Sequence, residues 1–132
     1  MNNFWPIYSK TEINKVKQVV KSNLVNYWTG NEGKKFEKEF SNYFKIKYSL
    51  TVANASLGLE CALKAIGIKK NDHVVVTSKS YVSSASCVSN VGAIPIFADV
   101  DYNSQNITAE TIKPLITKKT KAIICVHLGG YP

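Results

Sequence analysis

Four short apolar runs, YSLTVA, HVVVTS, IPIFA and KAIICVH, recur along residues 48–127, each parted from the next by a stretch of helical pattern. Their β-branched content and brevity mark them as strands. The stretches between them predict helices over 55–66, closed by Gly67; over 82–91, closed by Gly92; and over 109–116, with Thr108 as a cap. Pro114 falls inside the last of these and disfavours a regular helix there. Strands that alternate with helices build βαβ units, so the expected fold is α/β, a mostly parallel sheet flanked by helices.

Ahead of this alternation the pattern is helical only. After Thr11, a candidate N-cap, Ile13, Val16, Val20 and Leu24 fall at helical spacing, until NYWTGNEG interrupts them with Gly30 and Gly33. In KKFEKEFSNYF, Phe36, Phe40, Tyr43 and Phe44 share one helical face, a pattern that predicts core packing. With 132 residues the chain suffices for one domain, read as a single partial domain: helices over about 1–45, then βαβ units over about 48–132.

Charge and cysteine content narrow the function. The formal charge of +8 raises a nucleic-acid reading, but all 17 basic residues are lysines scattered along helix faces and turns, without interleaved aromatics. A solvated lysine-rich surface is the expectation. No apolar run approaches the roughly 20 residues that span a bilayer, and MNNFWPIYSK lacks the pattern of a secretory signal, so a cytoplasmic address and no membrane contact are expected. Cys61, Cys87 and Cys125, an odd number set in apolar segments, read as buried free thiols. With the isolated His73 and His127 they offer no metal-ligand spacing, and no metal site is expected.

In a parallel α/β sheet, ligands bind beyond the carboxyl ends of the strands. VANASLGLECALKAIG, residues 52–67, passes there from strand to helix through Asn54, Ala55 and Ser56. Unpaired helix amides, a partial positive charge and the Ser56 hydroxyl suit an anion such as phosphate, although Asn54 or Ser56 also suffices as a simple helix cap. The next junction, TSKSYVSSAS, carries one large aromatic, Tyr81, among small residues, placed to stack on a flat ring. Phosphate plus ring points to pyridoxal phosphate or a nucleotide. The chain has no G-x-G-x-x-G after a strand and no Walker A loop.

These residues carry a resemblance. WP near the start, NYWTGNEGKKFEKEF, NASLGLECALKAIGIKKNDHVVVTS, SYVSSAS, GAIPIFADVD and TKKTKAIICVHLGGYP resemble, in order and spacing, the N-terminal part of the DegT/StrS family of sugar aminotransferases. The resemblance implies the large domain of a fold-type-I enzyme that binds pyridoxal 5'-phosphate. It places the family's Gly-Thr phosphate pair on Ala55 and Ser56, with Ala55 in place of Gly, and the ring-stacking aromatic on Tyr81. Thr29 and Gly30 correspond to a segment that borders the substrate in relatives, and serve equally as an inter-helix turn. The DVD of residues 99–101 is also similar to a family signature and reads as turn chemistry after a strand.

The family's Schiff-base lysine and its pyridinium-pairing aspartate have no counterpart in the sequence, which resembles roughly the first third of such an enzyme. The resemblance therefore implies no catalytic residue within residues 1–132, and the expectation is a piece of a longer chain that alone does not transaminate. The implied reaction passes an amino group, from glutamate or another amino acid, to a nucleotide-linked keto-sugar in a homodimeric enzyme. Two other classes stay open on the residues themselves: a non-catalytic module for a phosphorylated ligand, and a basic nucleic-acid binder.

Overall fold

The computed structural model describes residues 5–132. They cluster into two compact units, one ending at Thr51 and one spanning Val52–Pro132.

The first unit holds α1 (Lys10–Ser22) and α2 (Glu32–Phe44). The N-cap of α1 is Ser9, not the expected Thr11. The Ser9 hydroxyl accepts the Glu12 amide at 3.2 Å, and the Glu12 carboxylate accepts the Ser9 amide at 2.6 Å. A reciprocal box is favoured by an acidic residue or glutamine three places on; Ser9 has Glu12 there, whereas Thr11 has Asn14. On α2 the aromatic face forms a ladder, Phe36 to Phe40 at 5.8 Å and Phe40 to Phe44 at 4.5 Å between ring centroids. The expected core packing is not reached within the unit: these three rings stay 40–55% exposed.

Residues 48–53, expected as a strand, form none. A strand requires a partner edge for its backbone groups. In this stretch the Thr51 amide is taken by the Glu37 carboxylate at 2.8 Å and the Ser49 hydroxyl by the Glu37 carbonyl at 2.5 Å. The segment is fastened to α2 by side chains.

The second unit contains α3 (Ala55–Ala65), β1 (His73–Thr77), α4 (Ser83–Asn90), β2 (Ile94–Ala98), α5 (Ala109–Ile112) and β3 (Thr120–Ile124). All pairings are parallel, in the order β2-β1-β3, with Val75 opposite Ile96 on one side and Ile123 on the other. Valine fills β1 because the strand is central: Val74, Val75 and Val76 are wholly buried. Val74 and Val76 pack with Leu63 of α3, Cys87 and Val88 of α4, Ile68 and Ala93. Burying a side chain of this size contributes about 1.5–3 kcal/mol.

α3 and α4 stop just before the glycines that mark their ends in the sequence, whereas α5 ends at Ile112, short of the expected residue 116. Gly67 and Gly92 have φ of +83° and +84°, a conformation that glycine adopts without strain. Thr108 caps α5, which gives way at Pro114 to a 3-10 turn, Lys113–Leu115, as proline demands. All three cysteines are free, as expected, but only Cys87 is buried; Cys61 and Cys125 are exposed, contrary to expectation. Cys61 is two residues from Leu63, the buried residue of α3, and so lies about 200° round the helix, on the side away from the core.

Candidate functional site

The turns after α3 and α4 meet at the amino end of the sheet, where the Asn71 amide donates to the Gly92 carbonyl at 3.0 Å. Asn71, with φ +68°, and Asp72, which accepts the Lys69 amide at 2.8 Å, form the turn that leads into β1. From that end α3 and α4 run back over the sheet side by side, tied by Asn90 Nδ2 to the Glu60 carboxylate at 2.6 Å. Their amino ends therefore lie toward the carboxyl ends of the strands, where such sheets bind ligands.

At the start of α3, Asn54 is the N-cap: its Oδ1 accepts the Leu57 amide at 3.0 Å and its carbonyl the Gly58 amide at 3.1 Å. That settles who caps the helix. Among the described residues nothing engages the amides of Ala55 and Ser56 or the Ser56 hydroxyl. The first turn contains no acidic side chain, so the positive end of the helix is not neutralised from within. Ala55 is the first helical residue and its φ is not positive, so the backbone here does not call for glycine. The half-buried Ser56 and two free amides are the groups at this end that could hold one anionic oxygen group.

Tyr81 stands in the loop between β1 and α4, 76% exposed, with its ring open to a stacking partner. The loop is held beneath it. The Ser80 and Ser84 hydroxyls are 2.8 Å apart, Ser84 donates its amide to the Tyr81 carbonyl at 3.0 Å, and Thr77 Oγ1 accepts the Lys79 amide at 3.2 Å. Lys79 is exposed and donates its ammonium to Gln105 Oε1.

Thr29 and Gly30 belong to the first unit. Asn26 Oδ1 accepts the amides of Trp28 and Thr29, at 2.9 and 3.0 Å, and the Thr29 hydroxyl at 3.1 Å. The Gly30 amide donates to the Asn26 carbonyl at 2.7 Å, and a Cβ on Gly30 would stand 2.4 Å from the Leu24 carbonyl oxygen. Asn26 thus accounts for the turn by itself.

In 99–101 the carboxylates do turn chemistry, as expected. Asp99 accepts the Val100 amide at 2.8 Å, and Asp101 accepts those of Ser104 and Asn103 at 2.8 and 3.0 Å. The Ser104 contacts, with a smaller share from Asn103, hold the Asp101 carboxyl below the usual aspartate range. Asn106, which no sequence motif singled out, bridges to residues 128 and 131, far along the chain. Among the described residues no group of three or more His, Cys, Asp or Glu side chains is placed to hold a metal ion, and no helix is long and apolar enough to cross a membrane.

A profile of the DegT/DnrJ/EryC1/StrS aminotransferase family matches residues 6–132. GDP-perosamine synthase of Escherichia coli O157:H7 is 37% identical over 130 residues, which cover 96% of this chain and 36% of that protein. The crystal structure of an aminotransferase from Psychrobacter cryohalolentis superposes with a TM-score of 0.93 at 45% identity, covering 98% of this chain and 33% of the other. A GDP-4-keto-6-deoxymannose-3-dehydratase with a trapped PLP-glutamate geminal diamine matches with a TM-score of 0.77 at 25% identity, over 89% of this chain and 32% of that one. The chain spans about a third of the length of the relatives it matches.

Proposed function

The chain belongs to the DegT/DnrJ/EryC1/StrS aminotransferase family, and from that membership we propose that it forms the phosphate- and ring-holding part of a pyridoxal-phosphate-dependent aminotransferase. The acceptor is a nucleotide-linked keto-sugar of the kind used in surface-polysaccharide synthesis, and the donor an amino acid, with glutamate the first choice. The observation that carries the reading is the open amino end of α3: two amides and a hydroxyl without partners among the described residues, at the ligand-binding edge of a parallel sheet.

The residues fit the group. The Ala55 and Ser56 amides and the Ser56 hydroxyl would hold the phosphate, with the helix end favouring its charge. Tyr81 would lie against the pyridine ring, its loop fixed by the Ser80–Ser84 contact so that stacking does not first have to order it. The cofactor, when bound, supplies an electron sink at the α-carbon of the amino donor. The chain's own share is binding and orientation, and the covalent lysine and the acid opposite the ring nitrogen belong to the part of the family fold beyond residue 132. The Trp28–Gly30 turn is assigned a border of the sugar site, and the working enzyme a homodimer.

Ser56→Ala should weaken cofactor binding by about 1–3 kcal/mol, through loss of a hydrogen bond to a charged oxygen. Tyr81→Ala should weaken it too, whereas Tyr81→Phe should retain most of the affinity, because the ring and not the hydroxyl makes the contact. Equal damage from Phe and Ala would overturn the stacking role, and unchanged affinity in Ser56→Ala would overturn the phosphate site.

A further inference from the structure

The three parallel strands each release the chain into a loop at the carboxyl edge of the sheet, where no ladder holds the backbone. One turn, residues 101–106 after β2, reaches both of the other loops. It is closed by the Gln105 amide on the Asp101 carbonyl and the Asp101 amide on the Asn106 carbonyl, both at 2.9 Å, while the Asp101 carboxylate gathers the Asn103 and Ser104 amides inside. From this closed turn the half-buried Asn106 side chain extends to the chain leaving β3: Oδ1 accepts the Leu128 amide at 3.1 Å, and Nδ2 donates to the Tyr131 carbonyl at 3.0 Å. On its other flank Gln105 accepts the Lys79 ammonium, two residues from Tyr81.

We infer that Asn106 is a positioning residue for the cofactor site: by clasping the Leu128–Gly130 turn to the 101–106 turn, it fixes the edge of the site on the side of β3. The Leu128–Gly130 turn closes on itself through the Gly130 amide on the His127 carbonyl at 2.9 Å and the Tyr131 amide on the Leu128 carbonyl at 3.2 Å, with Gly129 and Gly130 at φ of +63° and +83°, and the two Asn106 bonds tie that turn to the 101–106 turn. A carboxamide is suited to the task because it offers an acceptor and a donor about 2 Å apart to one amide and one carbonyl. The clasp is a property of the chain itself; its consequence for ligand affinity rests on the cofactor reading above.

The test uses the full chain and pyridoxamine 5'-phosphate, which has no aldehyde to react with lysines. Asn106→Ala should speed hydrogen exchange at the Leu128 amide about tenfold or more and lower affinity for the ligand about 3- to 10-fold. Asn106→Asp keeps the acceptor for Leu128 but sets an oxygen against the Tyr131 carbonyl, so Leu128 should stay protected while affinity falls by less. Thr108→Ala removes the cap of α5, in the same loop, without touching either clasped segment; it should lower thermal stability and leave Leu128 exchange and affinity at the parent level. Unchanged Leu128 exchange in Asn106→Ala overturns the clasp. Faster exchange with an affinity no lower than that of Thr108→Ala overturns the positioning role. If Ser56→Ala leaves affinity unchanged while Asn106→Ala lowers it, the phosphate assignment fails and the positioning role stands.

Discussion

Glu37 and Thr51 are joined twice: one carboxylate oxygen accepts both the backbone amide and the hydroxyl of Thr51, each at 2.8 Å. The Thr51 amide and then its hydroxyl hold the Glu37 carboxyl below the ordinary glutamate range, with smaller help from Tyr27 and Lys34. A group whose folded pKa is depressed adds stability above its unfolded pKa and loses it as pH falls through the folded one. The carboxylate's hold on Thr51 should therefore be complete at neutral pH and fade below about pH 4.3, the ordinary glutamate value. Glu37→Ala should speed exchange of the Thr51 amide severalfold at pH 7, and the difference from the parent should shrink as the pH is lowered past that point. A pH-independent difference would show that the charge plays no part.

Two glycines should respond in opposite directions. At Gly30 an added Cβ would meet the carbonyl oxygens of Leu24 and Asn26 at 2.4 and 2.9 Å, both backbone, so Gly30→Ala should cost about 1–3 kcal/mol in denaturant unfolding. Gly58 lies inside α3, where a Cβ would meet only the Val52 side chain at 3.4 Å, and Gly58→Ala should be stabilising by up to about 1 kcal/mol.

The aromatic ladder on α2 should make the chain self-associate. Three half-exposed phenyl rings in edge-on and tilted contact form a contiguous apolar patch of the kind that soluble monomers seldom leave open. Light scattering over a concentration series should show a rising mean mass, and Phe40→Lys, in the middle of the ladder, should flatten it. A mean mass that stays monomeric in the parent would contradict this.

What could be read from the sequence was whatever local rules decide. The strand character of β1, β2 and β3, the glycine stops after α3 and α4, the Thr108 cap and the proline break follow from neighbours a few residues apart. What could not be read depends on distant partners. Residues 48–53 have the composition of a strand but find the Glu37 side chain instead of an edge, and the α2 face has the pattern of a core element without a core against it. At the site, the Ser56 junction and Tyr81 were legible because strand-to-helix transitions mark where a parallel sheet opens. Asn106 was not, since its partners lie 22 and 25 residues downstream and only the folded chain brings them within reach.

The central claim is that the amino end of α3 takes the phosphate of the cofactor, and it rests on two amides that have no acceptor among the described residues. Residue-resolved hydrogen exchange measures those amides directly. Saturating pyridoxamine 5'-phosphate should slow exchange at Ala55 and Ser56 about tenfold, because each gains an acceptor, while pyridoxamine without its phosphate should leave both at the free rate. Exchange at Ala55 and Ser56 that is the same with and without the phosphorylated ligand, once binding is saturated, would contradict the account.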